Sequence, residues 1–131
     1  MYKKIITFIA AGALLAGCSA MGSNIVDVKK IEKQEFQLAN KYEDIGMTIA
    51  FEDGRIYGFS GVNRYFGSAV IDEKDIEIGN VASTMMAGPE DRMQAEHGFI
   101  QLLSDAKTIE MKDDAVVITT NNNEQLIFKK K

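Results

Sequence analysis

Apolar and polar positions alternate with period two through several short stretches of the chain. Met47-Thr48-Ile49-Ala50-Phe51 alternates and ends at Glu52-Asp53-Gly54, and Arg55-Ile56-Tyr57-Gly58-Phe59 follows at once. An Asp-Gly pair between two such runs is a strong hairpin signal, because both residues tolerate the left-handed backbone that a tight two-residue turn needs. Ala69-Val70-Ile71-Asp72 and Asp75-Ile76-Glu77-Ile78 flank a second turn at Glu73-Lys74. Lys107 to Met111, Ala115 to Thr119 and Gln125 to Phe128 read as three further strands, with turns at Asp113-Asp114 and Asn121-Asn122-Asn123. With Phe36-Gln37-Leu38 the pattern predicts roughly seven or eight short strands.

One segment breaks this rhythm. From Pro89 to about Leu103, Met93, Ile100 and Leu103 fall at helical spacing with Phe99 beside them, a face expected to point into the sheet. Pro89 suits a first helical turn, and Glu90 and Asp91 complement the positive end of the helix dipole. Strands, one helix, then strands again predict an α+β fold with a mostly antiparallel sheet, strongly curled around or capped by one packed helix.

The first residues have a different character. Met1-Tyr2-Lys3-Lys4 is basic, and Ile5 to Leu15 carries no charge. That run is shorter than the roughly 20 residues that span a bilayer and matches the apolar region of a secretory signal. Leu15-Ala16-Gly17-Cys18 follows and resembles a bacterial lipobox, which implies cleavage after residue 17 and lipid on Cys18. Ser19 is not the Asp that retains some lipoproteins at the inner membrane, so outer-membrane placement is expected where that membrane exists. Residues 18–34 read as lipid anchor and tether, small and polar and then charged. A coil of about 15 residues would hold the domain roughly 20 Å from the lipid. The domain proper is expected over 35–131.

Composition narrows the function classes. The chain has 131 residues, enough for one ordinary domain, and is 46% hydrophobic and 26% charged, as globular proteins are. Its formal charge of −4 argues against nucleic acid, and loss of Lys3 and Lys4 on cleavage would make the mature chain more acidic still. A single cysteine excludes an internal disulfide and a Cys-rich zinc site. The expected partners are the membrane, through the lipid on Cys18, and an envelope protein or small apolar ligand. The chain is expected to be a monomer with no metal and no cofactor.

The central blocks carry a resemblance. They are Gly58-Phe59-Ser60-Gly61-Val62-Asn63-Arg64-Tyr65-Phe66-Gly67, then Ile78-Gly79 through Thr84, Met86 and Gly88, then Glu96-His97-Gly98-Phe99 and Leu103. This series resembles the META domain of HslJ-like bacterial heat-shock lipoproteins over about residues 36–128. The family pattern has Gly-x-x-Gly-Cys-Asn-x-Tyr/Phe-x-Gly, then Ile-Gly-x-x-x-x-Thr-x-Met-x-Cys, then Glu-x-x-Phe-x-x-x-Leu. Both family cysteines are missing together, with Val62 and Gly88 in their places. Where present, the pair could cross-link the loop after the early hairpin to the helix entry. Phe36 stands where the family has Trp. The resemblance implies a compact, partly open β-barrel with one helix packed on it and a stress association, and no established enzymatic activity. It marks Gly61, Asn63, Gly67, Thr84, Glu96 and Phe99 as structural motif residues.

Weighed as chemistry, these positions read mostly as architecture. Asn63 between Gly61 and Gly67 suits a turn-holding role, by left-handed geometry or by hydrogen bonds to nearby backbone. Glu96 is sharper, because a carboxylate on an apolar helix face must be hydrogen-bonded or change its pKa. It is either a general acid or base, or an anchor that accepts from amides of the Gly61 to Gly67 loop and from Asn63. No partner nucleophile is visible, which favours the anchor. His97 is the sole histidine and reads as an exposed helix residue. Tyr57 to Gly61 lacks the Gly-x-Ser-x-Gly spacing of a nucleophile elbow. Asp72, Glu73, Asp75 and Glu77 could hold Ca²⁺ weakly, but read better as a solvated hairpin tip. Met85, Met86 and Met93 are either core filling or the lining of an apolar cleft. Lys129 to Lys131 reads as a solvated terminal run.

Overall fold

The computed structural model describes residues 25–131. Eight strands follow one another as an antiparallel meander: β1 (Glu35–Leu38), β2 (Thr48–Glu52), β3 (Arg55–Phe59), β4 (Arg64–Asp72), β5 (Asp75–Ser83), β6 (Ala106–Lys112), β7 (Ala115–Thr120) and β8 (Gln125–Lys130). Each pairs with its neighbour, and β1 pairs with β8 through Phe36↔Lys130 and Leu38↔Phe128. The barrel is therefore closed, where the family resemblance implied a partly open one. Closure removes free strand edges, which a period-two pattern alone does not reveal.

The Asp53-Gly54 hairpin has positive φ at both residues, 51° and 75°, which lets the turn follow the right-handed strand twist. β4 and β5 are longer than expected, nine residues each: β4 begins at Arg64, ahead of the predicted Ala69, and β5 runs past Ile78 to Ser83, where burial no longer alternates cleanly. Their pairing shifts register between Phe66 and Ser68, with Asn80 at φ 53° on the facing strand. Gly67 therefore lies inside β4 at a bulge and does not bound a turn. A Cβ there would lie 3.0 Å from the Gly79 carbonyl oxygen, so the close approach of the two strands favours glycine.

Among the described residues two helices accompany the barrel, where one was expected. The short α1 (Val28–Ile31) is capped by the Asp27 side chain, which accepts from the Lys29 amide. It lies within the segment read as tether. Val26 and Ile31 are buried in the core and Glu32 bridges to Phe51, so 26–34 belongs to the domain. Two apolar residues spaced among charges give little periodic signal, yet both find the barrel wall. Cys18 and residues 1–24 lie outside the described residues.

The long helix, α2 (Glu90–Ser104), connects β5 to β6. Those strands pair at one position, Asp75↔Thr108, reinforced by the Ile109 amide donating to the Lys74 carbonyl at 2.8 Å. α2 packs on β5 beside this narrow seam. Its buried residues are Ala95, Glu96, Phe99 and Leu103, so the inward face is rotated from the expected one and Met93 and Ile100 sit at its margin. The interior is a packed apolar core. Phe99 lies edge-on to Tyr65 at 5.6 Å and to Phe128 at 6.3 Å between ring centres, tying the helix to β4 and β8.

Candidate functional site

The one buried carboxylate among the described residues is Glu96, 6% exposed, on the second turn of α2. It faces the two-residue connection Gly61-Val62 between Ser60 and Asn63. Gly61 has φ 131°, and a Cβ there would lie 3.2 Å from the Arg92 carbonyl oxygen and 3.3 Å from the Glu96 Cβ. Glycine thus lets the loop lie directly on the helix. The consecutive amides of Val62 and Asn63 both turn toward the carboxylate, a concave pair of donors suited to an anion.

Glu96 Oε1 accepts from the Val62 amide at 3.0 Å and the Asn63 amide at 2.7 Å. The Ser60 hydroxyl oxygen lies 2.8 Å from Oε1 and 2.8 Å from the Asn63 carbonyl, so its single proton is shared between them. Oε2 accepts from Asn63 Nδ2 at 2.8 Å. Burial pushes this carboxyl upward and is the largest single influence. The Asn63 side chain, the Asn63 and Val62 amides and the Ser60 hydroxyl together outweigh it and hold the group below its ordinary value of 4.5.

Asn63 extends the cluster to a second loop. Its Oδ1 accepts from Thr84 Oγ1 at 2.9 Å and from the Met86 amide at 2.6 Å. Its Nδ2 also donates to the Met86 carbonyl at 3.1 Å. All four hydrogen-bonding positions of the amide are thereby used, which fixes its orientation. Asn63 is not among the residues with positive φ, so the left-handed role expected of it falls to Gly61. Thr84 also accepts from the Arg64 amide at 3.2 Å, and Arg92 Nη1 donates to the Gly61 carbonyl at 3.3 Å.

The structure thus brings Gly61, Asn63, Thr84 and Glu96 into one cluster and places Phe99 one helical turn from Glu96, in the core. Gly67 stands apart in β4. Sequence reasoning expected the loop amides and Asn63 as donors to Glu96 but did not single out Ser60, the Met86 backbone or Arg92. Adjacency to Gly61 was the available signal for Ser60, whereas backbone donors carry no residue signature. His97 is exposed, within 3.2 Å of Gln101. Met85 and Met86 are exposed and fill no core, and neither lines the groove of Val28 to Ile71 or that of Tyr42 and Ala95. Among the described residues no three His, Cys, Asp or Glu side chains are placed to share a metal ion. Nor is any described helix long and apolar enough to cross a membrane.

Chemically, the cluster is a clamp. An ionised carboxylate whose acceptor sites are committed to loop donors has little capacity left to take a proton from a substrate. A second polar anchor supports it from the barrel: the Tyr65 hydroxyl donates to the Thr48 carbonyl at 2.6 Å. Burial holds that phenol protonated, well above its ordinary value of 10.0.

The META domain family model matches residues 26–131. The chain belongs to the META domain family. The match begins at Val26, the first core residue, and takes in α1 and the whole barrel. Three solved structures share this fold. One is a protein from Burkholderia xenovorans, 18% identical, covering 79% of this chain and 86% of that chain, TM-score 0.63. A second, solved by NMR, is 18% identical and covers 79% and 94%, TM-score 0.60. The third is a DUF4847 family protein from Bacteroides vulgatus ATCC 8482, 16% identical, covering 84% and 93%, TM-score 0.51. At these identities the likeness concerns the fold. No curated protein matches the chain at a significant level.

Proposed function

We propose that this META-domain chain is a lipid-anchored protein of the bacterial cell envelope that acts as a non-enzymatic binding or envelope-stress factor. The observation that carries the non-enzymatic part is Glu96. The sole core carboxylate among the described residues is engaged by loop donors and held ionised, so it serves to join α2 to two loops. The lipobox Leu15 to Cys18 supports export and anchoring, with outer-membrane placement where that membrane exists. The stress association comes from the family.

Mass spectrometry of protein extracted from host membranes tests the anchor, with an acylated Cys18 at the N-terminus as the expected species. An unprocessed, soluble chain in the native host would refute it. A substrate screen comparing wild type with Glu96→Gln tests the rival acid/base reading. Turnover lost in a folded variant would move the protein to the enzymes.

A second reading, a small-ligand or protein-inhibitor module, is favoured by one observation. At the barrel mouth where α1 meets the ends of β2 to β4, Val28, Phe51, Ala69, Val70 and Ile71 line a groove of about 280 Å³ that includes Arg55. Native mass spectrometry of protein purified from its host would reveal a retained ligand.

A further inference from the structure

Thr84 to Pro89, between β5 and α2, is exposed at every residue, and Met85 and Met86 are 94% and 60% exposed. This loop is held in place by its main chain. Asn63 takes the Met86 amide and returns a bond to the Met86 carbonyl, and the Thr84 hydroxyl donates to the same Asn63 oxygen. The two thioethers therefore contribute little to the clamp and stand in water on a fixed backbone. Met47 is the opposite case, 0% exposed within the core, and Met93 and Met111 are intermediate. The thioether sulfur is soft and polarisable, and its reactivity toward oxidants follows its access to solvent.

We propose that Met85 and Met86 form a reversible oxidant-accepting site whose co-reactant is a small neutral peroxide or hypochlorous acid. With hydrogen peroxide, the Sδ lone pair takes one peroxide oxygen. The O–O bond breaks, an S–O bond forms, and the proton on the transferred oxygen passes to the departing oxygen, which leaves as water. Sulfur loses two electrons and the peroxide gains them. Exposed Glu90 and Asp91 follow the loop directly, which favours a neutral oxidant over an anionic one. The sulfoxide is polar and stays solvated, so the clamp beneath it, built from backbone and Asn63, persists. Reduction by methionine sulfoxide reductases of both epimer specificities, with a thiol reductant, restores the thioether.

Limiting hydrogen peroxide followed by tryptic peptide mapping of the full mature chain tests the site. Cleavage after Lys and Arg places Met85 and Met86 in peptide 75–92, Met47 in 42–55, Met93 in 93–107 and Met111 in 108–112. Peptide 75–92 is expected to gain oxygen at least about tenfold faster than 42–55, because Met47 reacts only through opening of the barrel. The far-UV spectrum and unfolding midpoint should be unchanged at that stage. Combined Met85→Leu and Met86→Leu should abolish the fast oxygen uptake in a folded chain. Equal rates for 75–92 and 42–55, unfolding on the first oxidation, or failure of the reductases to remove the oxygen would each overturn the proposal.

Discussion

Along β6 to β8, Ile109, Val116, Ile118, Leu126 and Phe128 are each 0% exposed, and their side chains are held by packing alone. At the start of α2, one carboxylate and one amide side chain hold the helix and two loops through hydrogen bonds at defined atoms. The first region spreads its stabilisation over many interchangeable contacts, each contributing in proportion to the apolar area it removes from water. The second concentrates it on two side chains, where an unmatched donor loses its acceptor outright. Wall substitutions should therefore give graded losses, and clamp substitutions should depend on which atom is changed.

Phe99 belongs to both regions and gives the largest expected effect. It lies on the clamp helix but reaches Tyr65 and Phe128 in the core. Phe99→Ala should destabilise the domain by about 3–5 kcal/mol, from lost burial and the cavity left behind. Equilibrium denaturant unfolding measures it. A loss below about 1 kcal/mol would show that α2 is not integral to the barrel.

Glu96 should come next. Glu96→Ala leaves the Val62 and Asn63 amides without their acceptor and takes one of the two acceptors of Asn63 Nδ2, a loss of about 3 kcal/mol. Glu96→Gln keeps one oxygen for the two amides but turns an NH₂ toward Asn63 Nδ2. Asn63 cannot flip to compensate, because its Oδ1 is held by Thr84 and Met86, so an intermediate loss of about 1–2 kcal/mol is expected. The pH dependence separates charge from shape. A carboxyl held below 4.5 in the fold contributes stability that is fully present above that value and is lost as pH falls through the folded pKa. Urea midpoints taken from about pH 6 to about pH 3 should therefore converge for wild type and Glu96→Gln at the acid end. Parallel curves would show that the charge does not stabilise the clamp.

The two regions also differed in how far the sequence revealed them. Asp53-Gly54 announced its hairpin because the turn chemistry is local, and the three C-terminal strands announced themselves by alternation. Closure of β1 on β8 depends on contacts between chain ends, which leave no local trace. Val26 and Ile31 were hidden among Asp27, Lys29, Lys30, Glu32 and Lys33, and only the barrel wall makes them core. Glu96 could be singled out because an acid beside Phe99 on a helix needs partners. The exact inward face could not, because Ala95 is uninformative and Met93 and Ile100 fit an apolar stripe equally well. Gly67 looked like a turn residue because a bulge and a turn ask for the same small side chain.

The clamp can also be strengthened. An ideal Cβ at Gly88 would lie 3.5 Å from the Val62 Cβ, within the range of about 3.5–4.5 Å found across disulfides. The two positions at which the family pattern carries cysteine are thus adjacent here, with apolar contact in place of a covalent bond. The Val62→Cys, Gly88→Cys double variant should oxidise without rearrangement and gain about 2–4 kcal/mol, chiefly through the unfolded chain. Free-thiol titration and unfolding with and without reductant measure both. Two thiols that stay free under oxidising conditions would contradict the close approach of this loop to the helix entry.

The smallest effect should come from Thr84, at the solvent edge of the clamp. Its hydroxyl donates to Asn63 Oδ1 and accepts from the Arg64 amide, and the residue is exposed. Thr84→Val keeps the shape and the β-branch but removes both bonds. Asn63 Oδ1 retains the Met86 amide at 2.6 Å, and water can reach the Arg64 amide. The loss should be about 0.5–1 kcal/mol, the net value of a hydrogen bond whose partners are not left buried. A double-mutant cycle with Glu96→Gln adds the decisive number. If Asn63 transmits order from the carboxylate to the Thr84–Met86 loop, the two losses should fall short of additivity by about 0.5 kcal/mol or more. Strict additivity would mean that Glu96 holds its own loop and the outer loop is held independently, so the clamp would be two contacts sharing one asparagine.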